Sequence, residues 1–103
     1  MADGEQPRKT EDKIMEILTK KLGYNSPQKA ELGTKLQKEE RWLYFETEEG
    51  TSVIYLPAPT KDDEKGFLEF GDLIIKIYEE LINAGIKYEQ NMIESYFTFT
   101  IKH

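Results

Sequence analysis

From Leu32 to Leu56 apolar side chains tend to fall at every second position, whereas on both sides of this stretch they recur every third or fourth. A period of 2 places side chains on one face of a strand, and a period near 3.6 places them along one stripe of a helix. No single kind of secondary structure can satisfy both patterns, so the chain must pack helices against a sheet.

On the amino-terminal side, Ile14, Ile17, Leu18 and Leu22 define a helix over about residues 11–22, with Thr10 or Asp12 as its cap and Gly23 as a left-handed terminating residue. Tyr24 to Ala30, containing Asn25-Ser26-Pro27, has the chemistry of a turn. Leu32 to Lys38 reads as a weak strand, and Arg41 to Glu48 and Thr51 to Leu56 as stronger ones, joined as an antiparallel hairpin by Glu49-Gly50. Pro57, Pro59 and the polar run Thr60 to Gly66 form a loop.

Phe67 to Ala84 then predicts a long helix. Phe70, Ile74, Ile77, Tyr78, Leu81 and Ile82 line its apolar stripe, and Asp72, Lys76, Glu79, Glu80 and Asn83 lie opposite. After Gly85 come a short strand over Ile86 to Gln90 and a half-buried one in which Ser95, Phe97, Phe99 and Ile101 alternate with Tyr96, Thr98, Thr100 and Lys102. The expected order is α-β-β-β-α-β-β. This is an α+β domain over residues 11–103, with a mainly antiparallel sheet packed by the long second helix, preceded by a flexible tail over residues 1–10. The order is similar to that of small acidic type III secretion chaperones, a likeness of topology that no sequence motif carries.

The residue inventory narrows the chemistry. A chain of 103 residues allows one domain and one modest core. It has no Cys, which removes disulfides, thiolate nucleophiles and thiolate metal sites. The single His is His103, the last residue, where a mobile imidazole would be a poor acid/base group. Asp63, Glu69 and Asp72 fall at the third, ninth and twelfth positions of a calcium loop centred on Gly66. The first and fifth positions, however, are Lys61 and Lys65, whose ammonium groups cannot ligate a cation. Carboxylate neighbours such as Glu46/Glu48 and Glu79/Glu80 arise readily among 20 acidic residues. The expectation is therefore a non-enzyme with no cofactor and no metal. The start, MADGEQPRK, has no apolar stretch after its charges, and the longest apolar runs are far below the ~20 residues of a membrane helix. The expected compartment is the cytoplasm.

Charge is unevenly spread. Residues 1–38 carry 8 basic and 6 acidic side chains, and residues 39–103 carry 6 basic and 14 acidic ones, for a net charge of −6. An acidic body disfavours broad contact with a phosphate backbone. Lys20, Lys21, Lys29, Lys35 and Lys38 still leave a basic stretch that a nucleic-acid binder could use. Twelve Lys against two Arg, with 15 Glu and 10 Ile, is a bias seen in thermophilic proteins and also in AT-rich genomes.

Two groups of residues are candidates for binding. Trp42, Tyr44 and Tyr96 alternate away from the face carrying Leu43, Phe45 and Phe97, with Glu46 and Glu48 beside them. Such rings require a cover; helix one is the plain candidate, and a homodimer contact or a protein partner are the others. The second group is Gln90-Asn91-Met92-Ile93-Glu94-Ser95-Tyr96-Phe97, which resembles the clamp-interacting peptide of DNA replication and repair proteins, Gln-x-x-aliphatic-x-x-aromatic-aromatic. The resemblance implies a polar anchor at Gln90 and a plug of Ile93, Tyr96 and Phe97 for a sliding clamp, over 8 of the 103 residues.

The preferred expectation is a small acidic protein-binding module of adaptor, inhibitor or chaperone type, using Trp42, Tyr44 and Tyr96 as apolar contacts and Glu46 and Glu48 as a charged rim. A clamp-bound accessory factor of replication or repair and a weak nucleic-acid binder are the alternatives.

Overall fold

The structure, a computed structural model, describes residues 9–31 and 33–103. Apart from Lys9 and Thr10, the expected tail lies outside them. Helix α1 (Thr10–Glu16) runs without interruption into a π-helical segment (Ile17–Lys21). The wider turn has a packing reason. In an unbroken α-helix Lys21, seven residues after Ile14, would return to the core side. A π turn carries it past that side and brings Leu22 in, and the outcome is an exposed Lys21 with Ile14, Ile17, Leu18 and Leu22 buried. The Thr19 hydroxyl donates to the Met15 carbonyl at 2.8 Å inside the same segment. Neither Thr10 nor Asp12 caps the helix, because the N-cap is Lys9, without a side-chain hydrogen bond. Gly23 and Gly85 take the left-handed conformation expected of them, at φ +80° and +72°.

Six antiparallel strands form one sheet: β1 (Asn25–Ala30), β2 (Gly33–Lys38), β3 (Arg41–Glu48), β4 (Thr51–Pro57), β5 (Glu89–Ile93) and β6 (Tyr96–Lys102), in the spatial order β1-β2-β3-β4-β6-β5. The order of elements is thus α-β-β-β-β-α-β-β, one strand more than the sequence pattern indicates. The extra strand is β1, where the composition points to a turn. Pro27 is tolerated there because β1 is an edge strand, and the register shifts by one residue between Asn25↔Gln37 and Gln28↔Lys35, a bulge around the proline.

The β3–β4 hairpin is the one Glu49-Gly50 predicts, with Glu48 opposite Thr51 and Gly50 at φ +76°. Helix α2 (Glu64–Asn83) starts three residues before Phe67, capped by Asp63, whose carboxylate accepts the Gly66 N–H at 2.8 Å.

Both helices lie on the same side of the sheet. On that inner face the register aligns Leu36 with Leu43, Phe45 with Ile54, Ile54 with Phe99, and Ser52 with Ile101. These side chains are buried together with Ile14 and Leu18 of the first helix and Ile77 and Leu81 of α2. Burying each such side chain favours the fold by about 1.5–3 kcal/mol. The buried stripe of α2 is narrower than the periodicity suggests. Phe70, Leu73, Ile74, Ile77 and Leu81 pack on the core, while Tyr78 and Ile82 stay exposed. Helical spacing reveals an apolar arc but not which part of it meets the sheet.

Neighbouring side chains on α2 should therefore differ sharply. Leu81→Ala should cost about 2–5 kcal/mol in urea unfolding and Ile82→Ala less than about 0.5 kcal/mol. Equal losses would mean that the helix is rotated from the position described.

Candidate protein-binding face

The alternation of β3 and the hairpin register decide what lies on the other, open face of the sheet. Tyr44 is opposite Tyr55, and Glu46 is opposite Val53. One strand further, Tyr55 pairs with Thr98 and Pro57 with Tyr96. On the far side of β3, Trp42 pairs with Gln37 and Tyr44 with Lys35. Four aromatic side chains thus run across β3, β4 and β6 on a surface that neither helix covers. The expectation that helix one covers Trp42, Tyr44 and Tyr96 is overturned, since that helix needs the inner face for Ile14 and Leu18.

The rings are ordered by contact with one another. Tyr96 meets Tyr44 and Tyr55 edge-to-face, with centroids 6.1 and 6.0 Å apart. Trp42 is 42% exposed, and the Lys35 ammonium sits over its ring at 4.7 Å. Tyr44, Tyr55 and Tyr96 are half-buried, and Thr98 between them is fully closed off, its hydroxyl donating to the Asn91 carbonyl at 3.3 Å. Glu46 lies beside this cluster as a polar rim and accepts a hydrogen bond from the Tyr55 hydroxyl at 3.3 Å. Burial raises the Tyr55 pKa above its ordinary value, and the negative charges of Glu46 and Glu48, with the hydrogen bond to Glu46, push it in the same direction.

Tyr55 is the member of this face that the sequence reading missed. Its signal was the two-residue connection, which fixes the hairpin register and so sets Tyr55 against Tyr44.

The clamp-like residues are divided by the β5–β6 hairpin. Gln90 is opposite Phe99 and Ile93 is opposite Tyr96, with Glu94-Ser95 forming the turn. Phe97 faces inward, its ring 6.3 Å from Phe70 and 5.3 Å from Phe99, whereas Ile93 and Tyr96 belong to the open face. The basic stretch is dispersed as well. Lys20 and Lys21 end the π-helical segment, Lys35 covers Trp42, and Lys38 donates to the Leu22 carbonyl at 3.0 Å.

His103 is better held than a terminal residue is expected to be. Its backbone N–H donates to the Gly50 carbonyl at 2.8 Å, and its Nε2 is 2.9 Å from the Ser52 hydroxyl. Ser52, itself 3.1 Å from the Thr47 hydroxyl, is fully buried between β3 and β6, so this pair ties the carboxy-terminal strand to the hairpin.

A separate cleft of about 330 Å³ opens beside the start of β3, with Tyr24, Trp42, Pro57 and Phe70 in its walls and the Arg41–Glu69 ion pair, 2.9 Å long, among its lining residues. Burial raises the Tyr24 pKa; Arg41 opposes that shift and Glu69 adds to it. Among the described residues no cluster of three or more potential metal ligands occurs, and no helix is long and apolar enough to cross a membrane.

The fold is an α+β domain in which the helices of the described residues cover one face of the sheet and leave the other open. Comparison with protein-family models, curated proteins and solved structures finds no match.

The coupling between rim and ring is measurable. Glu46→Gln should lower the Tyr55 pKa by removing both the charge and the acceptor carboxylate. A spectrophotometric titration of tyrosinate, referenced to Tyr55→Phe, should show this; an unchanged titration would detach Glu46 from the aromatic cluster.

Proposed function

We propose that this chain is a small acidic protein-binding module, without catalytic chemistry of its own, that receives a protein partner on the open sheet face. The reading rests chiefly on one observation, that both helices are spent on the inner face while Trp42, Tyr44, Tyr55 and Tyr96 lie together on the other. Aromatic side chains grouped on a rigid surface are the residues from which interface hot spots are built. Glu46 and Glu48 at the rim, within a chain of net charge −6, favour a partner that presents basic groups around an apolar centre. Adaptor, inhibitor and chaperone roles all fit this description.

A sliding-clamp ligand is the weaker reading. Filling one pocket with Ile93, Tyr96 and Phe97 together would require pulling Phe97 from between Phe70 and Phe99. A nucleic-acid binder is weaker too, because the lysines do not line one surface and Glu46 and Glu48 would meet the phosphates.

A photo-activatable phenylalanine in place of Tyr44 tests the reading in cell extract. A discrete protein adduct is expected. Unlabelled wild-type protein should compete it away, and Trp42→Ser/Tyr44→Ser should compete roughly 30-fold less well, the equivalent of about 2 kcal/mol. Glu46→Lys/Glu48→Lys, which leaves the rings in place, should also compete poorly. Adducts with nucleic acid alone, or equal competition by both variants, would reject the proposed face.

A further inference from the structure

The two edges of the sheet are built differently. β1 carries the devices that keep an edge from pairing, namely Pro27, a bulge and the charged Lys29. β5 carries neither proline nor bulge, and its one charged residue is Glu89 at the strand's start. Its register with β6 is regular over five residue pairs, it contains no proline or lysine, and all five residues are exposed.

The apolar surface points to the same end of the molecule. Of the eight large apolar side chains exposed among the described residues, seven are on α2 and β5, Trp42 being the eighth. On α2 one flank faces the first helix, since Lys76 and Glu80 share small clefts with Lys21. By helical spacing Phe67, Tyr78 and Ile82 project from the opposite flank. That flank lies on the β5 side, because Phe70 contacts Phe97 and Phe97 pairs with Met92, which shares the inner face with α2. Met92 is 54% exposed, so among the described residues the inner face of β5 is covered only in part.

We infer that this end of the molecule is a self-association surface, on which a second copy of the chain adds its own β5 antiparallel to the first. A two-fold axis through the middle of the strand sets Asn91 against Asn91, Gln90 of one copy against Met92 of the other, and Glu89 against Ile93. Each residue then meets one on the same sheet face, and no like charges stand directly opposite. The two α2 flanks run antiparallel above the joined edge, where Phe67, Tyr78 and Ile82 of one copy face the same set and Met92 of the other. Phe67, Tyr78, Ile82 and Met92, between 36% and 56% exposed, present on the order of 400 Å² per copy, about half of the ~800 Å² that each partner gives to a standard interface. Asp72 and Glu79 point away from the sheet on α2 and escape the contact. The surface is independent of whatever docks on Trp42 and its neighbours.

Sedimentation and light scattering on the full chain test the inference. The wild type should run at twice the 12.1 kDa chain mass in the micromolar range, and Ile82→Lys/Met92→Lys at the chain mass with an unchanged far-ultraviolet circular dichroism spectrum. Trp42→Ser should stay dimeric. Because the chain lacks Cys, Asn91→Cys offers a second reading that does not depend on the lysine variant folding. Facing its own copy, it should form a disulfide-linked dimer on mild oxidation, whereas Trp42→Cys should not. A wild type that stays at the chain mass throughout the micromolar range would overturn the inference. So would a dimer dispersed by Trp42→Ser but not by the lysine pair, or cross-linking through position 42 and not 91.

Discussion

Every helix in this domain competes for the same apolar surface, the inner rows of β2, β3, β4 and β6 that run from Leu36 to Ile101. A sheet has two faces, and the two helices of the described residues lie on only one of them. Ile14, Leu18, Ile77 and Leu81 all converge on that side and are removed from water. The remaining architecture follows: the opposite face must rely on side chains that tolerate partial exposure, and aromatic residues with polar tips are suited to that position. Tyr44, Tyr55 and Tyr96 shield one another edge-to-face where no helix does so.

The π-helical segment is the local adjustment that makes the one-sided arrangement possible. Lys21 lies close enough in sequence to Ile14 and Leu18 that regular helix would carry its ammonium stem toward the apolar layer. Widening the last turn exchanges it for Leu22, and the following Tyr24 is buried as the chain enters β1. At the other end of the chain, the Ser52–His103 contact and the backbone bond from His103 to Gly50 fasten β6 against the β3–β4 hairpin. The second device joins residues about fifty positions apart, so it leaves no pattern that a local reading can detect.

What the sequence did make legible was whatever depends on neighbours in the chain. The β3–β4 hairpin follows from alternation and Glu49-Gly50, and α2 from its stripe. The outward direction of Trp42, Tyr44 and Tyr96 follows from the opposite placement of Leu43, Phe45 and Phe97. What escaped was set by contacts across the fold. Asn25-Ser26-Pro27 has turn chemistry, yet pairing with β2 makes it part of a strand, and backbone pairing depends little on side-chain identity at an edge. The rotation of α2, which buries Leu81 and leaves Ile82 in water, depends on where the first helix and β6 sit. Of the candidate face, three rings could be read from alternation; Tyr55 required the register. The clamp-like octapeptide shows the converse, a continuous motif in sequence whose side chains the hairpin sends to two different faces.

The proline-bearing bulge in β1 limits how far the sheet can grow. A stack of such domains joined edge to edge would need two receptive ends per subunit, as a polymer needs two reactive groups per monomer. With β1 disrupted at Pro27 and its register broken, only the β5 edge is regular. In the proposed dimer, addition at β5 consumes that one end, so extension terminates after a single step instead of continuing into a fibre.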